Sequence, residues 1–259
     1  MIDSRSVQAA ILDLDGVVTE TARLHAQAWT DLFDAFFETR DEREGEDRSP
    51  FGVEDYEQYV DGKPRYDGVR SVLDARGIDV PEGAPDDPPD AVTIHGLGNR
   101  KNERFHELLE QHGVDVYDDA IEQIHRWRTR GLGVAVVSSS KNCEAVLERA
   151  GLLDLFDARV DGVVAGRLGL DGKPAPDIFL EAADRLGVEP ERAAVFEDAR
   201  AGVEAGRAGG FGLVVGVSRN GNDEALRAHG ADVVVHDLRE VEDRIQGHQA
   251  SDGHSSASG

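Results

Sequence analysis

The strongest constraint on the fold is an alternation of helical and apolar extended segments that begins at Val116. Amphipathic helical patterns alternate there with short apolar runs typical of buried strands. The predicted strands span residues 132–137, 158–164, 193–196, 211–217 and 231–235. Repeated αβ units form parallel sheets with right-handed crossovers. Because residues 9–12 are a similar apolar run, the sequence predicts an α/β fold whose parallel sheet includes a strand near the N-terminus.

The segment between the first strand and this alternation contains helical patterns and no confident strand. Helical periodicity covers residues 21–37, 55–60, 67–75 and 100–111, with a charged break at 40–50 and a break rich in Pro and Asp at 81–90. We therefore expect a helical unit inserted into the sheet domain. The predicted domains are an α/β core of residues 1–18 and 114–245, a helical domain of residues 19–113 and a disordered tail of residues 246–259.

Charge and hydropathy exclude several classes of partner. The chain has 52 acidic and 28 basic residues, a formal net charge of −24, and such a surface repels nucleic acid and anionic lipid. It has no apolar run long enough to span a membrane and no secretory signal pattern, so we expect a cytoplasmic protein. Lysine is depleted, which favours a halophilic protein kept soluble by concentrated salt. The lysines that remain are candidate ligand residues: Lys63, Lys101, Lys141 and Lys173.

Acidic, hydroxyl and ammonium groups follow the ends of the predicted strands. Asp13 and Asp15 lie in a turn directly after the first strand. Later strand ends and helix starts supply Ser138, Ser140, Lys141, Asn142, Lys173, Glu197 and Asp198. Separately, these residues suit turns, helix N-caps or a solvated surface. Because parallel strands end at one edge of a sheet, their joint occurrence favours a shared ligand crevice.

These residue types match the needs of phosphoryl transfer through an aspartyl phosphate. Carboxylates can hold Mg²⁺. One carboxylate can attack phosphorus while a second exchanges a proton with the alcohol oxygen. Hydroxyl, ammonium and backbone N–H groups can hold the phosphate oxygens. We therefore expect an enzyme that uses Mg²⁺.

Four motifs in this order resemble a known family. The run Asp-Leu-Asp-Gly-Val-Val-Thr from Asp13 matches its first motif, Ser138 its second, and Lys-Pro-Ala-Pro-Asp from Lys173 its third. Glu197-Asp198, followed by Ala201-Gly202, matches its fourth. The chain is similar over about its first 217 residues to the haloacid dehalogenase superfamily, and more narrowly to its β-phosphoglucomutase-like branch. The resemblance implies a Rossmann-like core with a small helical cap.

The resemblance also implies roles for individual residues. Asp13 would be the nucleophile and Asp15 the general acid and base, with Ser138 and Lys173 holding the phosphate. The implied Mg²⁺ environment is Asp13, Asp15 through its backbone carbonyl, Glu197 and Asp198. The implied substrate-binding residues are Thr19, Trp29, Arg65, Lys101, Asn102, Ser140, Lys141 and Asn142.

Within the helical domain, the resemblance changes how two residues are interpreted. Periodicity alone favours His25 and Trp29 as a packed core pair, because residues four apart share a helix face. The resemblance instead implies that His25 assists Asp15 and that Trp29 lines the substrate cleft. It also implies that Arg65 holds the phosphate that is not transferred.

The implied activity is conversion of β-glucose 1-phosphate to glucose 6-phosphate by a monomeric enzyme. The alternatives are a sugar-phosphate phosphatase with the same first half-reaction and a catalytically silent sugar-phosphate-binding protein. Glu20 and Ala199 depart from the residues common in the branch, and the loops at 40–50 and 81–91 are longer or more acidic. These departures leave the choice of sugar open.

Overall fold

A computed structural model describes residues 7–41 and 43–241, and it divides the chain into two compact units. The core unit takes in the described residues up to Thr19 and from Val116 onward, and the helical unit is Glu20–Asp115. The division therefore falls after residues 19 and 115, where the sequence predicted 18 and 113. The tail predicted for residues 246–259 lies outside the described residues.

The core unit contains a six-stranded sheet in the order β3-β2-β1-β4-β5-β6, and every pairing in it is parallel. Its strands are β1 Ala9–Asp13, β2 Gly133–Val137, β3 Ala158–Val160, β4 Ala193–Glu197, β5 Leu213–Val217 and β6 Val233–Val235. The central strands consist mainly of buried Ala, Val and Ile, as expected for a sheet covered on both faces. The predicted α/β fold with a parallel sheet is confirmed.

The helical unit has its own apolar core. Its elements are α1 Ala22–Glu38, α2 Val53–Asp55 continuing into a π-helical turn at Tyr56–Val60, α3 Arg65–Ala75 and α4 Ile94–His112. Stacked aromatic residues of α1, among them Trp29 and Phe33, pack with Val69 and Val72 of α3 and Leu97 of α4. The described residues of this unit contain no named strand.

Helix α4 begins earlier than the sequence predicted. The pattern predicted a start at residue 100, whereas the helix begins at Ile94 because the Thr93 hydroxyl caps it, accepting from Gly96 N at 2.9 Å. Glycine is needed in this first turn because a Cβ at Gly96 would lie 2.3 Å from the carbonyl oxygen of Ala91. Close packing therefore explains the glycine at this position.

The core helices are α5 Asp118–Thr129, α6 Cys143–Ala150, α7 Gly162–Leu168, α8 Asp177–Leu186, α9 Arg200–Ala208 and α10 Asp223–Ala228. The strand predicted over residues 158–164 was wrong in its second half. It ends at Val160 because the Asp161 carboxylate caps α7, accepting from Val163 N at 3.0 Å and Val164 N at 2.9 Å. The helix predicted for 238–245 starts as a 3₁₀ turn, Leu238–Glu240, and residues 242–245 lie outside the described chain.

Candidate active site

The loop after β1 places two carboxyl groups side by side. The backbone N–H of Asp15 donates to Asp13 Oδ2 at 2.8 Å. The loop closes on itself, because Gly16 N donates to the Thr19 carbonyl at 2.7 Å and Thr19 Oγ1 donates to the Leu14 carbonyl at 3.1 Å. Thr19 thus holds the loop in shape, and its role in substrate binding stays a prediction.

A buried ion triad lies at the end of β1. Lys173 Nζ donates to Asp13 Oδ1 at 2.5 Å and also to Glu197 Oε1. Lys173 is 3% exposed and Glu197 is fully buried. Burial alone lowers the pKa of Lys173, but the Asp13 and Glu197 carboxylates outweigh it and raise that pKa above its ordinary value. Lys173 is therefore a permanent ammonium that compensates the charge of the buried Asp13 carboxylate.

Glu197 is held by contacts within the core unit. Its Oε1 accepts from Lys173, and its Oε2 accepts from the backbone N–H of Ala199 at 3.1 Å. A Cβ at Gly202 would lie 1.9 Å from Glu197 Oε1, so this glycine makes the space for the carboxylate. Both oxygens of Glu197 therefore have partners within the protein, and its predicted place in the Mg²⁺ environment stays a prediction.

Asp198 approaches the β1 loop closely from the end of β4. Gly16 has a φ of +90°, and a Cβ there would lie 1.8 Å from Asp198 Oδ2, so only glycine fits. On its other side, the Asp198 carbonyl accepts from Asn222 Nδ2 at 3.0 Å. The sequence drew attention to Gly16 as part of the first motif, but nothing in it pointed to Asn222.

These groups fit a magnesium ion. The Asp13 and Asp198 carboxylates and the Asp15 carbonyl are the hard oxygen donors that Mg²⁺ prefers, and this ion keeps several waters in protein sites. Within the part of the chain that the structure describes, no group of three or more His, Cys, Asp or Glu side chains is arranged to hold a metal. The Mg²⁺ site therefore stays a prediction.

The turn after β2 connects to Asp15. Ser138 Oγ donates to Asp15 Oδ2 at 3.0 Å and accepts from the backbone N–H of Ser140 at 3.1 Å. Ser140 Oγ in turn accepts from Asn142 N at 3.1 Å, just before α6 begins. The structure thus brings Ser138 to Asp15, and its predicted role in holding phosphate stays a prediction. The predicted sugar contacts of Ser140, Lys141 and Asn142 stay predictions.

Within the helical unit, three of the predicted site residues lie close together: His25, Trp29 and Lys101. Lys101 Nζ lies 2.6 Å from His25 Nδ1 and 5.0 Å from the centre of the Trp29 ring. Phe105, which the sequence analysis missed, stacks on His25 at 4.0 Å and lies beneath the same ammonium. The position of Phe105 four residues after Lys101 was the available signal, because such residues share a helix face. Asn102 lies on the same helix, α4.

Arg65 begins α3 and contacts its own neighbour. Its Nη2 donates to the hydroxyl of Tyr66 at 3.1 Å, and its guanidinium lies 4.9 Å from the centre of the Tyr66 ring. The roles of Arg65, Trp29, Lys101 and Asn102 in substrate binding, and of His25 in catalysis, stay predictions.

The chain also matches a known protein family. Residues 7–210 match the family model described as haloacid dehalogenase-like hydrolase. The chain belongs to this family. The predicted family and the prediction of an enzyme of this type are confirmed.

Individual relatives cover nearly the whole chain. A protein named β-phosphoglucomutase from Mycobacterium bovis is 53% identical over 239 residues, covering 91% of each chain. A phosphorylated carbohydrates phosphatase from Thermotoga maritima is 29% identical, covering 88% of this chain and 94% of its own. The crystal structure of β-phosphoglucomutase from Clostridium difficile has a TM-score of 0.74 at 26% identity, covering 95% of this chain and 98% of its own.

Among the described residues, no helix combines the length and the apolar character that crossing a membrane requires.

Proposed function

We propose that this protein is a Mg²⁺-dependent β-phosphoglucomutase that interconverts β-glucose 1-phosphate and glucose 6-phosphate. The observation that carries the proposal is the buried carboxylate of Asp13, bound by the Lys173 ammonium and two positions before Asp15 in the chain. This arrangement suits a nucleophile beside a general acid and base.

In the first half-reaction Asp13 attacks phosphorus. A bond forms between an Asp13 carboxylate oxygen and phosphorus, and the bond from phosphorus to the sugar oxygen breaks. Lys173 balances negative charge on both the nucleophile and the phosphoryl group, and Glu197 keeps the ammonium in position. Burial raises the pKa of Asp13, and the adjacent Lys173 opposes that rise.

Asp15 moves the proton in both half-reactions. Its carboxyl group protonates the departing sugar oxygen and later accepts a proton from the sugar hydroxyl that attacks phosphorus. In that second step the bond from phosphorus to the Asp13 oxygen breaks, which restores the Asp13 carboxylate. Ser138 Oγ donates to Asp15 Oδ2, which fixes the orientation of the carboxyl group. The protons therefore balance over a full cycle without net uptake.

Asp13, Asp198 and the backbone carbonyl of Asp15 would hold the magnesium ion. When bound, the ion supplies positive charge that compensates the phosphoryl oxygens. Gly16 supports this arrangement, because its missing side chain lets Asp198 approach the loop.

Transfer to a sugar, rather than to water, is supported by the M. bovis relative and by the cations of the helical unit. We assign Arg65 and Lys101 to the phosphate that is not being transferred, with His25, Trp29 and Asn102 near the sugar. Such a site would keep a bisphosphate bound between half-reactions. The T. maritima relative named as a phosphatase favours the second candidate, hydrolysis of a sugar phosphate after the same first half-reaction.

Phosphorus NMR separates the two candidates. The protein is given Mg²⁺, β-glucose 1-phosphate and a trace of glucose 1,6-bisphosphate in concentrated salt. We expect conversion to glucose 6-phosphate without release of inorganic phosphate. Accumulation of inorganic phosphate would instead make the protein a phosphatase. The monomeric state, the cytoplasmic location and the need for salt stay predictions; circular dichroism across a salt series tests the last of them.

A further inference from the structure

Arg65 is held by an aromatic neighbour rather than by an acid. In a chain with 52 acidic residues, the described residues offer Arg65 no carboxylate partner, and its contacts are the ring and hydroxyl of Tyr66. An arginine has five N–H donors in a planar fork that matches phosphate. A guanidinium held this way keeps its charge and most of its donors for an anion.

Tyr66 is itself fixed from three sides. Its hydroxyl donates to Asn99 Oδ1 at 2.9 Å, and its ring lies 4.1 Å from the ring of His95. A Cβ at Gly98 would lie 2.6 Å from the Tyr66 ring, so the ring rests directly on the backbone of α4. Because a tyrosine hydroxyl has one hydrogen and that hydrogen goes to Asn99, its lone pairs face the Arg65 donor.

Asn99 connects Tyr66 to the loop of residues 81–91. Its Nδ2 donates to the carbonyls of Pro85 at 3.1 Å and Asp87 at 2.8 Å. These two donations identify the nitrogen of the amide, so Oδ1 is the atom that accepts from Tyr66. The loop is further tied to α4 by Arg100, whose Nε donates to the Pro89 carbonyl at 2.6 Å.

We propose that Tyr66 and Asn99 are positioning residues that orient the Arg65 guanidinium toward the phosphate that is not transferred, and that loop 81–91 influences substrate selectivity through them. The inference rests on the proposed function, because it assumes that Arg65 binds this phosphate. The chain of contacts runs from the loop carbonyls to Asn99, from Asn99 to the Tyr66 hydroxyl, and from there to Arg65.

Three variants test the chain of contacts in the full-length protein. Tyr66→Phe removes the hydroxyl and keeps the ring, Asn99→Ala removes the link to the loop, and Arg65→Ala is the reference. Tyr59→Phe is the matched control, because Tyr59 is also partly buried against the apolar core of the helical unit. Steady-state kinetics give KM and kcat for β-glucose 1-phosphate with glucose 1,6-bisphosphate. The same measurements are made for p-nitrophenyl phosphate, whose only phosphate is the one cleaved at Asp13, so that no phosphate occupies the second position.

We expect Tyr66→Phe and Asn99→Ala each to raise KM for the sugar phosphate by about 3- to 10-fold, with kcat within about twofold. The change in KM for p-nitrophenyl phosphate should be smaller. The double variant should be no worse than the more affected single one, because both changes break one chain of contacts. Thermal melting of each variant checks that it folds.

The outcomes separate the inference from the proposed function. If Arg65→Ala raises KM for the sugar phosphate while Tyr66→Phe behaves like Tyr59→Phe, the positioning role is overturned and the role of Arg65 stands. Equal changes in KM for both substrates would indicate a general structural role and would also overturn it. If Arg65→Ala leaves KM unchanged, the assignment of Arg65 to the second phosphate fails, and the inference fails with it.

Discussion

The two units hold their site cations in different ways. In the core unit, Lys173 is enclosed by the carboxylates of Asp13 and Glu197, so its charge is compensated before any substrate arrives. In the helical unit, Lys101 lies over the rings of Trp29 and Phe105, and Arg65 lies over Tyr66. A ring attracts a cation without cancelling its charge. The core cation is therefore suited to position a reacting group, and the Arg65 guanidinium is suited to attract an anion.

The largest effect should come from the nucleophile. We expect Asp13→Asn to reduce kcat by about 10⁴-fold or more, because an amide cannot form the phosphorylated intermediate. Rapid-quench assays with labelled substrate would measure both turnover and labelling of the protein. Asp184→Asn, at an exposed position of α8, is the control and should retain activity. Normal turnover by Asp13→Asn would contradict the assignment.

Removal of the Lys173 ammonium should lower the stability of the fold as well as the activity. We expect Lys173→Met to lower the free energy of unfolding by about 3–5 kcal/mol, because it leaves the Asp13 and Glu197 carboxylates buried without their counter-ion. Urea denaturation measures the change. Adding Glu197→Gln should restore part of the loss, since it removes one of the two charges. A single variant as stable as the parent would show that the triad is not a charge cluster.

The approach of Asp198 to the β1 loop can be tested at Gly16. We expect Gly16→Ala to weaken Mg²⁺ binding by about 10- to 100-fold, because the new Cβ must displace the Asp198 carboxylate. Calorimetric titration with Mg²⁺ measures the affinity directly. Gly131→Ala is the matched control, since Gly131 also has a positive φ, +80°, but has open space around it. If both variants bind Mg²⁺ equally well, the contact with Asp198 does not matter for the metal.

The smallest effect should come from substitution of Lys101 in the helical unit. We expect Lys101→Met to raise KM for the sugar phosphate by about 10-fold while changing stability little, because methionine keeps the apolar contact with Trp29 and Phe105. Initial-rate kinetics and thermal melting measure the two quantities. Lys101→Arg, which keeps the charge, should fall between the parent and the methionine variant. A large loss of stability in Lys101→Met would instead favour a structural role for Lys101.

The sequence predicted the elements of the sheet better than the contacts between distant side chains. The alternation of patterns after Val116 was sufficient for the parallel sheet, because buried strands of Val and Ala are distinctive. The pattern wrongly predicted a strand at Val163 and Val164, because both are β-branched residues typical of strands. In the structure they belong to α7, which Asp161 caps. Local caps override propensity in such short segments.

The residues of the candidate site could likewise be predicted from the sequence better than the contacts between them. The motifs located Asp13, Asp15, Ser138 and Lys173, since each directly follows a strand or precedes a helix. They did not indicate that Glu197 forms an ion pair with Lys173, because that contact depends on where Lys173 lies in space. The bond from Tyr66 to Asn99 joins residues 33 positions apart on different helices, so no periodicity could have indicated it.

The members of the ion triad lie far apart in the sequence. Asp13 and Lys173 are 160 positions apart, and Glu197 comes 24 positions after Lys173. A growing chain on the ribosome contains Asp13 early, but the complete triad requires Glu197, the last residue of β4, which pairs with β1. The carboxylate of Asp13 therefore lacks this arrangement of partners until most of the core unit has been synthesised.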